Sequence, residues 1–146
     1  MQFMDSAPAK DENDALHYIT RANAATVLNE GITWGITLKG KNKIIGYIGF
    51  WNMKAAHFRI EIGYMLHPDY WRQGLMSEAL QTIIDYAFNE TDLHSIEANV
   101  GVKNTPSMRL LEKNGFVKEA HFKENYFYDG NFLDSVIYCL VKKVNN

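Results

Sequence analysis

The sequence predicts an α+β domain: a mixed, mostly antiparallel sheet with helices on both of its faces. Three observations predict it. Short runs rich in β-branched and aromatic residues, such as WGITL at 34–38 and IIGYIGFWNM at 44–53, are separated by tight polar turns. Other stretches repeat apolar residues at the 3.6-residue spacing of a helix. In the second half, strand and helix signals alternate, and a strand–helix–strand unit of that length predicts a parallel crossover.

Each element follows in order. Residues 1–10, with Pro8 among polar neighbours, read as irregular. From Asp11, Ala15, Leu16, Ile19 and Ala22 recur at helical spacing with acids in the first turn, and the helix should end before Gly31. WGITL, the turn GKNK and Ile44–Met53 predict an antiparallel hairpin. Phe58–Leu66 (FRIEIGYML) alternates, Ile60 and Ile62 pointing one way, Arg59 and Glu61 the other, and completes a meander. After Gly74, one stripe of Ala79, Leu80, Ile83, Ile84, Ala87 and Phe88 predicts an amphipathic helix. Ser95–Val100 is a short strand. Asn104 as a polar cap, Pro106 in the first turn and Asn114–Gly115 as a stop delimit the next helix. Phe116–Lys123 and Phe132–Lys142 are strands around a turn at Asp129–Gly130–Asn131. Trp34, Phe50 and Trp51 are assigned to the core, with lining of a pocket as the alternative.

At 146 residues the chain is read as one domain, 1–146: an irregular start at 1–10, a helix and meander at 11–66, and the remainder at 67–146. Apolar residues at 47% make disorder an unsuitable reading. Fifteen basic and 17 acidic residues give a net charge of −2, which argues against broad electrostatic binding of nucleic acid. Five scattered histidines lack metal-ligand spacing, so no metal is expected. The single cysteine, Cys139, lies in an apolar run and reads as a small buried residue rather than a nucleophile. With no long apolar span and no basic-then-apolar start, no membrane segment is expected, and a cytoplasmic location is.

The segment HPDYWRQGLMSEAL, residues 67–80, passes from a strand through a glycine turn into a helix. A helix N-terminus gathers unpaired N–H donors at a positive dipole end, which suits an anion, and Gly74 lets the backbone approach a ligand closely. On physics alone the turn is more often a plain connection. Together with the preceding strand, however, EIGYMLHPDYWRQGLMSEAL closely resembles the acetyl-CoA-binding segment of the GNAT acetyltransferases, in the branch of the RimJ/RimL ribosomal-protein N-acetyltransferases. NTPSMRLLEKNGF, residues 104–116, is similar to the same family's Asn-x-x-Ser helix ending in Lys-x-Gly-Phe. The resemblance runs from about Asp11 to Lys142. The wider family pattern Gln/Arg-x-x-Gly-x-Gly/Ala is kept here only at Gly74, with Trp71 and Met76 at its ends. Met76 in place of a small residue is expected to narrow the loop. Arg72 either adds a cation for a pyrophosphate or points to solvent.

The resemblance implies an acetyl-CoA-dependent N-acetyltransferase with residues 67–146 forming its cofactor-binding part. Backbone groups at Met65 and Leu66 would hold the pantetheine arm. Trp71, Arg72, Gln73, Gly74, Leu75, Met76 and Ser77 would surround the pyrophosphate, and Asn99 and Asn104 would contact the cofactor. Glu61 is the implied general base; its alternative is a cross-strand charge partner of Arg59 or Lys54. Ser107 is the implied proton donor to the thiolate, or else a first-turn serine bonded to a backbone N–H. Leu111 stands where many family members place a tyrosine for that task. Tyr126, with Tyr128, is a further donor, a substrate contact or packing. The acceptor implied is a primary amine, either a protein N-terminal α-amine of the ribosomal-protein type or a small amine or antibiotic. A CoA-binding module with little catalysis is the alternative function. Family members usually carry another strand and helix at the front, so Trp34–Leu38 is expected to be a sheet edge covered by residues 1–10 or by a second subunit in a homodimer.

Overall fold

The computed structural model describes residues 9–144. Helix α1 spans Glu12–Val27, strands β1 to β3 span Ile32–Thr37, Ile44–Lys54 and Arg59–Leu66, and helix α2 spans Leu75–Glu90. Strand β4 is Ser95–Gly101, helix α3 is Thr105–Lys113, and strands β5 and β6 are Val117–Tyr128 and Asn131–Val141. The order is the one the sequence predicts. The six strands form one sheet in the order β1-β2-β3-β4-β6-β5, in which only β3 and β4 run parallel. The crossover between those two is α2, as a parallel pair requires.

Alternation along the strands divides the sheet into two faces. Ile60 and Ile62 of β3, Ile96, Ala98 and Val100 of β4, and Val136 and Tyr138 of β6 are buried on one face. Leu80, Ile83, Ile84 and Ala87 of α2 and Leu111 of α3 join them in one apolar core. The stripe read from the sequence of α2 is the buried one, except that Ala79 and Phe88 lie at its margin. Asp11 caps α1 by accepting from the Asp14 N–H at 2.9 Å, and Asn104 caps α3 by accepting from the Ser107 N–H at 3.2 Å.

On the other face the cover is thinner. Helix α1 buries none of its residues fully. It meets the hairpin through the half-buried Ala15, Ala22 and Ala25 and through a Tyr18–Tyr47 ring contact with centroids 5.9 Å apart. Leu16 and Ile19, expected in its core stripe, are instead 53% and 52% exposed, because the alanines take the sheet-facing side. Trp51, expected in the core, is also exposed: it lies on this thin face, while Phe50 beside it points into the core at 3% exposure.

Most strand ends differ from expectation by one or two residues, and one by more. β1 ends at Thr37, and β5 continues five residues beyond Lys123 to Tyr128. Polar KEN would ordinarily end a strand. Here the register shifts between Phe122 and Tyr126, Glu124 takes a positive φ of 49°, and Asp134 of β6 accepts the Glu124 N–H at 2.8 Å. That bulge absorbs the polar residues and lets the ladder resume. The Asp134 carboxyl is held below its usual range by this backbone hydrogen bond and by His121. Burial pushes the Cys139 thiol up to about 11, with Glu119 adding to the rise and Arg59 opposing it, so it is neutral at ordinary pH.

β1 is the edge strand of the described sheet; the expectation that residues 1–10 cover it falls mainly on residues 1–8, outside the described part. Among the described residues no helix is long and apolar enough to cross a membrane.

Leu80, fully buried between α2 and the sheet, provides a test of the core. Leu80→Ala should cost about 2–5 kcal/mol of unfolding free energy in urea denaturation, the range for buried leucines; a loss under about 1 kcal/mol would mean that this core is not packed as described.

Candidate active site

The site begins where two strands separate. β3 and β4 pair at Arg59↔Ser95, Ile60↔Ile96 and Glu61↔Glu97, and no further. Yet β3 stays paired with β2 to Leu66, and β4 with β6 to Gly101. The sheet therefore forks after Glu61 and Glu97. Backbone alternation decides which groups face the opening. The His67 N–H donates to the Ile45 carbonyl at 2.8 Å, in register with Gly46↔Leu66, so the odd residues of β3 bond to β2. The N–H and C=O of Tyr64 and Leu66 consequently face the fork. Met65, expected to offer its backbone there, is paired with Tyr47 instead. By the same alternation, the backbone of Asn99 on β4 faces the fork from the opposite side, since the Lys142 N–H donates to the His94 carbonyl.

Below the fork a clamp holds three strands together. The Arg59 guanidinium donates from Nε to Glu97 Oε2 at 2.9 Å, to Ser95 Oγ at 3.2 Å and to Cys139 Sγ at 2.8 Å. Lys54 reaches the same glutamate at 3.7 Å. Glu97, not Glu61, is thus the charge partner of both cations. Glu61 accepts instead from the Asn52 amide at 2.8 Å.

Side chains around the fork point to opposite faces of the sheet. Glu61 is on the thin face with Trp51, its register partner, whose ring lies over Gly63 so closely that a Cβ there would overlap it. Tyr64 is on the core face, where its hydroxyl shares a 2.7 Å hydrogen bond with Ser107 Oγ at the start of α3. Burial pushes the Tyr64 hydroxyl up to about 12, while its bond to Ser107 works in the other direction, so it keeps its proton. Tyr64 was not singled out by the sequence reading, although it is the last residue of EIGY; alternation from Ile60 and Ile62 already places it on the helix-covered face.

The junction after β3 is built on two left-handed residues, Arg72 at φ 60° and Gly74 at φ 77°. Gly74 is the N-cap of α2 with no side-chain hydrogen bond to the helix. Among the described residues nothing accepts from the N–H groups of residues 72–77. A Cβ on Gly74 would meet no atom within 4 Å, so the space beside this turn is open. Successive N–H groups of this kind, at a helix N-terminus, suit a diphosphate. Trp71 fixes the junction to the strand: its indole N–H donates to the Leu66 carbonyl at 2.7 Å.

Several expected residues act differently from the expectation. The Met76 side chain is 9% exposed and belongs to the core, so it does not narrow the loop. The Ser77 hydroxyl accepts from the Asn114 amide at 3.2 Å, a tie between α2 and α3 that the sequence reading missed. Gln73 donates to the Asp69 carbonyl at 3.1 Å, and Leu75 packs against the core. Asn104 caps α3 beside Ser107. The Asn99 side chain, exposed, is on the face opposite the α2 junction. Tyr126, opposite Leu133 on the edge strand β5, is outside β3 and β4, the two strands that frame the fork. Leu111, at the place of the family tyrosine, is fully buried in the core.

Two tests follow from this geometry. Gly74→Ala would force a side chain into a left-handed residue and into the open space, which should cost about 1–2 kcal/mol of stability and weaken CoA binding in calorimetric titration; unchanged affinity would contradict the cradle. Tyr138, like Tyr64, is pushed up to about 12, by burial first and then by its bond to the Glu112 carboxylate. Both raised values mean that the folded state holds these protons more tightly. Stability should be unaffected by them below pH 10 and fall between about pH 10 and 12, as unfolded tyrosines ionise first. A denaturation series across that window checks the sign.

The chain's relatives agree with this architecture. The family model described as an acetyltransferase (GNAT) domain matches residues 1–117. The uncharacterized N-acetyltransferase YoaA of Bacillus subtilis (strain 168) is 38% identical over 112 residues, covering 77% of this chain and 63% of that protein. The crystal structure of a GNAT-family acetyltransferase from Bacillus anthracis superposes with a TM-score of 0.83 at 29% identity, over 97% of this chain and 80% of that one. The [ribosomal protein uS5]-alanine N-acetyltransferase of Escherichia coli (strain K12) is 32% identical over 73% of this chain and 56% of its own length. A spermidine N(1)-acetyltransferase of Vibrio cholerae is 28% identical over 73% of this chain and 62% of its own length. The chain thus spans less than two thirds of the length of several relatives. By fold, fork and family model, it is a member of the GNAT acetyltransferases.

Proposed function

We propose that the chain is an acetyl-CoA-dependent N-acetyltransferase that passes an acetyl group directly from the thioester to a primary amine. The observation that carries this is the fork itself, which separates Glu61 on one face from the Tyr64–Ser107 pair on the other. The phosphate-ready start of α2 opens on to the same fork through Trp71 and Leu66. When bound, acetyl-CoA supplies the electrophilic carbonyl and the thiol that leaves.

The chain's own residues supply the rest. An ammonium has no lone pair, so the acceptor must lose a proton, and Glu61 takes it directly or through one water. The Leu66 N–H, turned into the fork, is a donor for the carbonyl oxygen as charge gathers there. Ser107 gives a proton to the sulfur as the carbon–sulfur bond breaks. Its oxygen is hydrogen-bonded to Tyr64, which is protonated at the outset and passes its own proton to Ser107, solvent then reprotonating the tyrosine. Ser107 with Tyr64 thereby does what a tyrosine at position 111 does elsewhere in the family. The Asn104 cap, which accepts from the Ser107 N–H, helps to hold Ser107 at the start of α3.

The acceptor we propose is a protein N-terminal α-amine, possessing the same reacting group as the ribosomal-protein alanine of the Escherichia coli relative. The spermidine-acetylating relative makes a small amine the competing acceptor. Leu111 and the reduced proton-donor set favour one other reading, a CoA-binding module with little turnover.

Glu61→Gln and Ser107→Ala should each lower kcat by about 10²–10⁴-fold, the range for a lost general acid or base, and leave CoA affinity near that of the parent. Thiol release with an amine panel, alongside CoA titration, measures both. Full turnover in Glu61→Gln would remove the glutamate from the mechanism, and CoA binding without turnover in the parent chain would favour the binding module.

A further inference from the structure

A second opening on the thin face points to what the acceptor carries. Between α1 and the β1–β2 hairpin lies a cavity of about 270 Å³, lined on one side by Tyr18, Arg21, Ala22 and Ala25 and on the other by Thr33 and Trp51. Its size is just below the usual range of about 300–1,000 Å³ for small-molecule pockets, so it holds one end of a ligand rather than all of it. Trp51 joins it to the fork. The same residue is the register partner of Glu61 and covers Gly63, the second position of β3 beyond the last β3–β4 pair. Partners across two strands have Cβ atoms about 5 Å apart, so Trp51 borders both the cavity and the Glu61 side chain.

Arg21 is the one charged residue lining this cavity. Among the described residues it has no hydrogen-bond or ion-pair partner. Arg21 is exposed, so its five N–H donors stand uncommitted at the rim of a cavity whose walls are otherwise aromatic, methyl or hydroxyl. A carboxylate placed there would find a fork of donors with little competing charge. A cationic tail would meet like charge with nothing to neutralise it.

Resting on the amine-acetylating reading above, we propose that this cavity receives the second residue of a peptide acceptor, and that Arg21 selects an acidic one. Trp51 is the wall between the two parts of the acceptor, with the amine beside Glu61 on one side and the side chain beside Arg21 on the other. The substrate class is a chain with a free N-terminal amine followed at once by Asp or Glu.

The test uses the full chain with acetyl-CoA and three peptides of equal length, differing only in Glu, Ala or Lys at their second residue. Spermidine is the fourth acceptor. Turnover is read by thiol release and binding by tryptophan fluorescence, with CoA affinity as the check that variants are folded. The expected order of kcat/KM is Glu above Ala above Lys, with about tenfold or more between the extremes, equivalent to about 1.4 kcal/mol. Arg21→Gln should remove most of the Glu advantage, and Arg21→Glu should reverse the order. Preference for Lys or for spermidine in the parent chain would overturn the proposal, as would an order indifferent to residue 21, or no binding of any peptide. If peptides bind with this charge order but no amine releases thiol, the cavity assignment stands and the transferase reading falls.

Discussion

Everything else in this structure depends on where the β3–β4 ladder stops. Arg59 ties β3 to Glu97 and Ser95 of β4 and to Cys139 of β6, in a partly buried network of three hydrogen bonds. Burial, the largest influence on its guanidinium, works against the charge, but the bonds to Glu97 and Cys139 raise its pKa above the ordinary value all the same. Two residues later the strands part. A buried backbone donor or acceptor without a partner is expensive, so a fork in the middle of a sheet demands compensation. One of the exposed acceptors, the Leu66 carbonyl, is taken by the Trp71 indole. The remaining groups of Tyr64 and Leu66 are an edge that an extended ligand arm can complete, in the same way that a strand would.

For the acyl transfer proposed above, with Glu61 as proton acceptor and Ser107–Tyr64 as proton donor, the fork also solves a geometric problem. Proton acceptor and proton donor must both reach the reacting centre without neutralising each other. Alternation along β3 achieves this simply: Glu61 and Tyr64 are three residues apart and so face opposite ways. The carboxylate is on the thin face beneath Trp51, where an acceptor can enter. The hydroxyl pair is on the face covered by α2 and α3, beside the helix start that suits a diphosphate. The two halves of the chemistry meet only through the opening. α1 leaves room on the thin face because it packs by alanines rather than by its larger apolar residues.

Much of this was legible in the sequence, and the limits of that legibility are physical. The order of nine elements follows from periodicity and turn residues, and the α2 stripe is read almost residue by residue. Long-range register is what the pattern does not carry. Nothing in FRIEIGYML says that pairing to β4 ends at Glu61, so the sequence points to Met65 as a fork residue where Tyr64 is one. Met76 was judged by its place in a motif, whereas its position on the helix turns its side chain into the core. The exposure of Leu16 and Ile19 shows a helix whose apolar stripe is wider than its contact, a case in which composition alone picks the wrong side. Arg59, Asn52 and Asn114 act through partners 38, nine and 37 residues away, beyond the reach of any local pattern.

The most direct test of the account is amide hydrogen exchange along β3, resolved by residue with NMR, with and without CoA. The fork predicts that the Tyr64 and Leu66 amides exchange rapidly in the free chain and become protected on binding, while those of Gly63 and Met65, paired with β2, are protected throughout. Protection of Tyr64 and Leu66 before any ligand is added, or new protection confined to Met65, would mean that the sheet does not open where this structure opens it.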